Sequence, residues 1–477
     1  MLFHSFFFLF VFLPLTVIGW HFFSAFRNRA VSEVFLIGMS LWFYSLFGWR
    51  DFLLLLVCTF AGYLFHRLLW RARTVLATRI TLGIGIACLL AILFWYKLHD
   101  GALPVGLSFY LFQLIAFLVE RAGGNLADVT AREYLLYVLY FPKLAQGPIA
   151  LPGEILSQFR ERQRGRMDRE QILRGLVLFI FGLAKKVLIA DSLAPVVAFG
   201  FEQTLYLDTA TVLLVLFSYA FQLYFDFSGY CDMAMGISRM LGIELPVNFN
   251  APFQAVSLSD FWKRWHATLS RFLTRYVYIP LGGSRKGAAA TLFHILLVFV
   301  LSGLWHGTGV TYLVWGLING LFVAASHALT VRKRAGGEDI KPKHPFTGRI
   351  RVMAAFLFTL VFFRAESVSM AIAMIRRFFI PLYPGFLLRT AANFRVVELY
   401  PLTKALSLSF SGTENHVLLV LWLLLLLLCF VLIRKKNAYE IATAIPLKAG
   451  YAVGLAVLFA WSMLALNDVR SFLYFAF

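Results

Sequence analysis

Apolar runs of spanning or near-spanning length recur from one end of the chain to the other, and they decide what it can fold into. They lie near residues 5–26, 33–48, 51–69, 80–98, 103–120, 171–193, 210–237, 289–309, 311–329, 349–365, 415–433 and 449–467. A bilayer core of roughly 30 Å needs about 20 such residues in a helix. The clearest run, Val417 to Ile433, holds an unbroken leucine stretch and no charge. Closed barrels need alternating polar and apolar residues, so helices are the spanning element here. Composition agrees: of 477 residues, 60% are hydrophobic and 14% charged. Soluble domains are about 45–50% apolar and about 25% charged, which excludes a soluble enzyme. Disordered, collagen-like and disulfide-rich chains are excluded as well, by 51 Phe and 4 Cys. The expectation is an all-α polytopic membrane protein with about 11–12 transmembrane helices.

The formal charge is +20. Its cations come in short blocks between apolar runs, which is the pattern of cytoplasmic loops and not of a nucleic-acid surface. Arg27 and Arg29, Arg67 to Arg79, Arg160 to Arg174, Arg332 to Arg351, and Arg434 to Lys436 can all lie inside on one alternating path. That path leaves both termini and the loop near 381–414 outside. The first run, Phe6 to Phe26, has no basic residue before it and reads as a retained helix, not a cleaved signal. Cys58, Cys88, Cys231 and Cys429 stand singly, as small hydrophobes do. Two segments do not fit the path. Residues 133–152 carry Pro142, Pro148 and Pro152, and residues 250–285 are too charged to span. Both are expected as re-entrant elements on the cytoplasmic side, buried in protein or lining a cavity. No internal repeat and no soluble domain is visible, so residues 1–477 read as one unit. Its core motifs fall at about 103–366, with peripheral helices at 1–100 and 367–477.

Three places could carry chemistry. In Phe261-Trp262-Lys263-Arg264-Trp265-His266-Ala267-Thr268-Leu269-Ser270-Arg271, residues Phe261, Trp265, Leu269, Phe272 and Tyr276 recur at helical spacing. Lys263, His266, Ser270 and Thr274 form a polar row flanked by Arg264, Arg271 and Arg275. The spacing predicts an amphipathic helix, serving either as an interfacial anchor on anionic lipid or as a basic collar for a phosphorylated donor. His306 lies among Gly303, Gly307 and Gly309 inside an apolar run. A histidine there is either satisfied by one hydrogen bond or, with an ordinary pKa of about 6.5, a general base facing a cavity. Asp226 and Asp232 interrupt the long apolar helix around Ser228. They could orient a histidine, bind a cation or, as buried charges require, pair with a nearby Arg. No third ligand stands close to His266 or His306, so no metal site is expected. Neither a nucleophile elbow nor a P-loop is present.

Taken together these segments resemble the membrane-bound O-acyltransferase family, in the bacterial branch that includes the membrane subunit of alginate O-acetyltransferase. The resemblance rests on motifs in family order: Leu103 to Phe109, Tyr140 to Ile149, Lys185-Lys186 to Asp191, and Phe225 to Tyr230 with Asn248 to Phe253. Then follow the Phe261 to Ser270 segment, Tyr278 to Gly283, Leu304 to Gly307, Phe363 to Ala365, and the terminal Phe472 to Phe477.

The resemblance implies a ring of helices around a thin centre, with a funnel reaching toward the cytosol. It implies that His306 is the catalytic histidine and His266 a second functional one. Lys263, Arg264 and Arg271, with Trp262 and Trp265, become candidates to bind the acetyl-CoA donor. Asp226, Ser228, Asp232 and Asn250 become structural or orienting residues. The implied activity is transfer of acetyl from cytosolic acetyl-CoA across the bacterial inner membrane, for O-acetylation of an extracytoplasmic polysaccharide such as alginate. Acetyl-CoA is then a substrate and no permanently bound cofactor is expected. An extracytoplasmic SGNH-type acetyltransferase is the expected partner, and nucleic acid is not. The rival readings are D-alanyl transfer from a carrier protein to teichoic acid, and an acyl transporter or channel without chemistry of its own.

Overall fold

A computed structural model describes the chain apart from residues 1, 27, 100–102, 127, 162–167, 337–343, 382, 396–412, 469–471 and 474–477. Arg27 of the first basic block, Arg162, Arg164 and Arg166 of the third, Lys341 and Lys343 of the fourth, most of the 381–414 loop and the last four residues therefore lie outside the described residues. Helices are α1 (Phe8–Ser24), α2 (Arg29–Ser45), α3 (Trp49–Arg71), α4 (Val75–Leu98), α5 (Leu107–Ala122), α6 (Ala131–Leu139), α7 (Phe141–Leu144) and α8 (Pro152–Glu161). Next, α9 (Arg169–Ala184) runs through a π-turn at Lys185–Ala190 into α10 (Asp191–Glu202), and α11 (Thr209–Met240) follows. The remainder are α12 (Leu258–Arg264), α13 (Ala267–Leu273), α14 (Ala288–His306), α15 (Val310–Ala335), α16 (Pro345–Arg364) and α17 (Val368–Arg377). The last four are α18 (Pro384–Ala391), α19 (Glu414–Leu432), α20 (Ala438–Ala444) and α21 (Ala449–Leu464).

Every apolar run forms helix. Among the described residues, seven helices are individually long and apolar enough to cross a membrane: α3, α4, α11, α14, α15, α16 and α19. The other runs give shorter pieces. Both α1 and α21 are apolar helices of fewer than 18 residues, and the 171–193 run is broken by the π-turn. Polar side chains fix several starts. Asn28 accepts from Ala30 N–H, Thr74 from Ala77 N–H and Asp208 from Thr211 N–H, while Thr130 and Glu133 form a reciprocal capping box.

The 32-residue α11 is the central post, with 78% of its apolar window buried against 11% for α4. It lies against α9 at glycines. A Cβ on Gly182 would come within 2.6 Å of the Gly229 carbonyl, and one on Gly175 within 2.6 Å of the Gly236 carbonyl. Close approach of this kind is how helices associate in lipid, where apolar burial between them drives little.

The proline-rich segment is buried and its backbone is satisfied by protein. Tyr137 Oη donates to Ala150 O (3.0 Å), Gln113 Nε2 to Lys143 O (3.2 Å), and Ile149 N–H donates to Thr268 Oγ1 (3.1 Å). Irregular backbone survives at membrane depth on those terms. Of the four cysteines, Cys58, Cys231 and Cys429 are buried, whereas Cys88 is exposed on the outer face of α4.

Candidate active site

The amphipathic segment is not one helix. α12 starts on Ser257, whose Oγ accepts from Asp260 N–H, and ends at Arg264. Trp265 is then extended (φ −91°, ψ 124°), His266 is left-handed (φ 45°, ψ 48°), and α13 begins at Ala267. The apolar stripe survives the break, since Phe261, Trp265, Leu269 and Phe272 are all buried. The cause lies outside the segment. Asn248 O accepts from Ala267 N–H and Arg264 O accepts from Asn250 N–H, each at 2.9 Å, which holds the 248–250 strand of chain across the break. The Asn248 carboxamide oxygen accepts from Thr268 N–H (3.2 Å) and from Thr268 Oγ1–H (2.8 Å).

That same oxygen lies 3.1 Å from His266 Nδ1. Because it already accepts from a backbone N–H it is the acceptor here, so His266 Nδ1 carries the proton and Nε2 the lone pair. Burial pushes the His266 imidazole down to about 3, which keeps it neutral at physiological pH. Phe227 packs edge-on against the ring at 4.8 Å, and Trp305 at 5.8 Å.

His306 ends α14. It is buried among Trp315 (5.3 Å) and Phe363 (5.1 Å), and its ring centroid is 6.4 Å from that of His266. The turn after it needs glycine, because a Cβ on Gly307 would fall 2.3 Å from the Tyr312 ring. Two bonds from α4 hold this turn: Lys97 Nζ donates to Trp305 O (2.7 Å) and Thr308 Oγ1 to Lys97 O (3.1 Å). Lys97 thus caps one of the carbonyls that the C-terminus of α14 leaves open, and Thr308 caps the Lys97 carbonyl in return.

Both histidines line one cavity of about 290 Å³, shared with Trp262, Lys263, Ser270 and His327. Its walls are apolar rings with a few polar groups, as small-ligand sites are. Buried Trp262 Nε1–H has no acceptor among the described residues. Of the other residues singled out in the sequence, Trp265 also lines the cavity. Arg264 instead pairs with Asp260 (2.8 Å) one turn back. Arg271 binds both Glu154 oxygens (2.5 and 2.9 Å) and Ile149 O (3.3 Å), tying α13 to the proline-rich segment. Neither arginine lines the cavity, so the collar expected from sequence is reduced there to Lys263.

Asp226 accepts from Lys186 (2.7 Å) and from Leu473 N–H (3.0 Å), Lys186 also meets Asp191 (2.9 Å), and Asp232 pairs with Lys185 (2.5 Å). These pairs weld the π-turn, α10 and α11 together, with Ser228 buried beside them. Ionic pairing holds as expected, but the partners are Lys185 and Lys186 of the adjacent π-turn and not an arginine. Asn250 Oδ1 accepts from Asn437 Nδ2 (2.9 Å), a tie to the α20 segment. The orienting residue is Asn248, quoted in the sequence motif but not singled out from it, and Lys97 was missed. An ionisable residue closing an apolar run is the only signal that could have marked Lys97. Among the described residues no group of three or more His, Cys, Asp or Glu could hold a metal ion.

The sequence profile of the MBOAT, membrane-bound O-acyltransferase, family matches residues 34–374. The peptidoglycan O-acetyltransferase of Helicobacter pylori is 32% identical over 427 residues, covering 79% of each chain. The probable alginate O-acetylase AlgI of Pseudomonas putida is 34% identical over 417 residues, covering 78% of this chain and 79% of that one. A teichoic acid D-alanyltransferase of Streptococcus thermophilus is more distant, at 25% identity over 276 residues, 53% of this chain and 65% of its own.

Proposed function

The chain belongs to the membrane-bound O-acyltransferase family and is a multi-pass membrane acyltransferase, and on that premise we propose that it moves acetyl from cytosolic acetyl-CoA to an extracytoplasmic acceptor. The acceptor system is O-acetylation of a cell-envelope polysaccharide at the bacterial inner membrane, delivered through an SGNH-type acetyltransferase partner. Alginate and peptidoglycan are the glycans named in relatives that match most of the chain. The observation that carries the reading is the pair of buried imidazoles, 6.4 Å apart, on one small cavity. At about 290 Å³ that cavity suits a short acyl thioester and not a long lipid chain.

His306 acts as general base. It takes the proton from an acceptor hydroxyl as that oxygen attacks the thioester carbonyl. The tetrahedral intermediate collapses with loss of the coenzyme A thiolate, which recovers the proton from the imidazolium. His266, neutral with its lone pair on Nε2, positions the acceptor or donor by accepting a hydrogen bond. The Trp262 indole N–H is a donor on hand for the developing oxyanion, and Lys263 meets the donor's anionic end.

The test is His306→Gln, which keeps volume and a polar tip but has no titratable nitrogen. Transfer from acetyl-CoA should fall by about 10²–10⁴-fold with coenzyme A binding retained. A folded variant with near-normal transfer removes His306 from the chemistry. Wild-type protein that cleaves only a carrier-bound D-alanyl thioester refutes the acetyl-CoA reading.

A further inference from the structure

Another cavity lies away from the histidines. It is a groove of about 1280 Å³ between α11, α16, α17 and α19, beyond the roughly 300–1,000 Å³ of ordinary small-ligand pockets. One wall is a single face of α16, where Phe346, Ile350, Met353 and Leu357 recur at helical spacing. Over those eleven steps the face runs about 17 Å, close to the ~15 Å depth of one hydrocarbon leaflet.

One end of the groove is cationic. Arg349 lies in the first turns of α16 and Arg434 lies just past α19, and both residues line the same cavity. Both residues are exposed, and neither forms an ion pair among the described residues. Gln254 closes this end, its Nε2 donating to Ile433 O (2.7 Å). By the positive-inside pattern this is the cytoplasmic interface. Lipid tails are as apolar as the groove walls, so apolar contact alone selects no occupant in a bilayer. The two cations do select, since basic pockets between spanning helices on this side hold anionic headgroups.

We propose that the groove is a binding site for one anionic glycerophospholipid of the cytoplasmic leaflet. Its acyl chains lie along the α16 face and its phosphate lies between Arg349 and Arg434. The site is separate from the histidine cavity and does not depend on the acyl-transfer reading. The experiment uses the full chain in detergent, with phosphatidylglycerol and phosphatidylcholine as probes and native mass spectrometry as readout. Wild-type protein should retain one phosphatidylglycerol in preference to phosphatidylcholine, less so at high salt. Arg349→Gln and Arg434→Gln should each weaken retention about fivefold. Ala354→Trp, which fills the groove and leaves both arginines, should expel the lipid. Melting in phosphatidylcholine alone checks that each variant is folded. Equal retention of the two lipids by wild type, or phosphatidylglycerol held unchanged by a folded double arginine variant, overturns the proposal. So does a protein helix found cross-linked in the groove in native membranes.

Discussion

His266 holds a left-handed backbone that costs a residue with a Cβ roughly 1–2 kcal/mol. Such strain persists only where the surroundings over-determine it. Asn248 does so here with its carbonyl, which takes Ala267 N–H, and its carboxamide oxygen, which takes both Thr268 donors and His266 Nδ1. The same burial has a thermodynamic signature. The imidazole titrates at about 3 in the fold and near 6.5 in the unfolded chain. Between those values the unfolded chain binds a proton that the folded one refuses, so stability is intact above pH 6.5 and falls as pH drops below it. At pH 5, about 1.5 units lower, the loss from this residue is roughly 2 kcal/mol. Unfolding of wild type and His266→Gln should therefore diverge in pH dependence between pH 7 and 5, the variant losing less. Parallel loss would mean that the native fold accommodates a protonated His266.

The contact between α9 and α11 is set by two glycine pairs, Gly182 with Gly229 and Gly175 with Gly236, each member seven residues from the next. A side chain at either level meets backbone, which cannot turn aside. Gly182→Leu should part the helices, strain the Lys186–Asp226 and Lys185–Asp232 pairs that the following π-turn makes with α11, and abolish a monodisperse size-exclusion peak. Gly38→Leu on α2 is the control, since nothing lies within 4 Å of its Cβ position, and it should express normally. The glycines were visible in the sequence, but which helix they face was not, because small residues mark a contact without naming its partner. The break at His266 was illegible for a related reason. Phe261, Trp265, Leu269 and Phe272 keep helical spacing on both sides of it, and the group that enforces the break, Asn248, is eighteen residues away. Periodicity reports which side chains face the core and says little about an αL residue between two short helices.

Across the whole molecule, hydropathy was enough to give the class and the positions of the long apolar helices, because bilayer thickness sets element length and lipid forbids open backbone. It did not rank them from centre to rim. The helix interrupted by Asp226 and Asp232 is the buried post, and the unbroken leucine run of α19 lies at the periphery, which is what ionisable residues in a span indicate. Orientation remains a matter of charge. Arg349, Arg351, Arg434, Lys435 and Lys436 belong to blocks that the positive-inside pattern puts in the cytosol. α16 crosses from Pro345 to Arg364, so exposed Ser367 stands on the opposite side, and α19 crosses back before exposed Lys435. In a Cys88→Ser background, with the other three cysteines buried, Ser367→Cys should react with an impermeant maleimide in intact cells. Lys435→Cys should react only after the membrane is opened. The reverse pattern would turn the molecule over, placing Lys263 and the donor-binding side of the histidine cavity away from cytosolic acetyl-CoA.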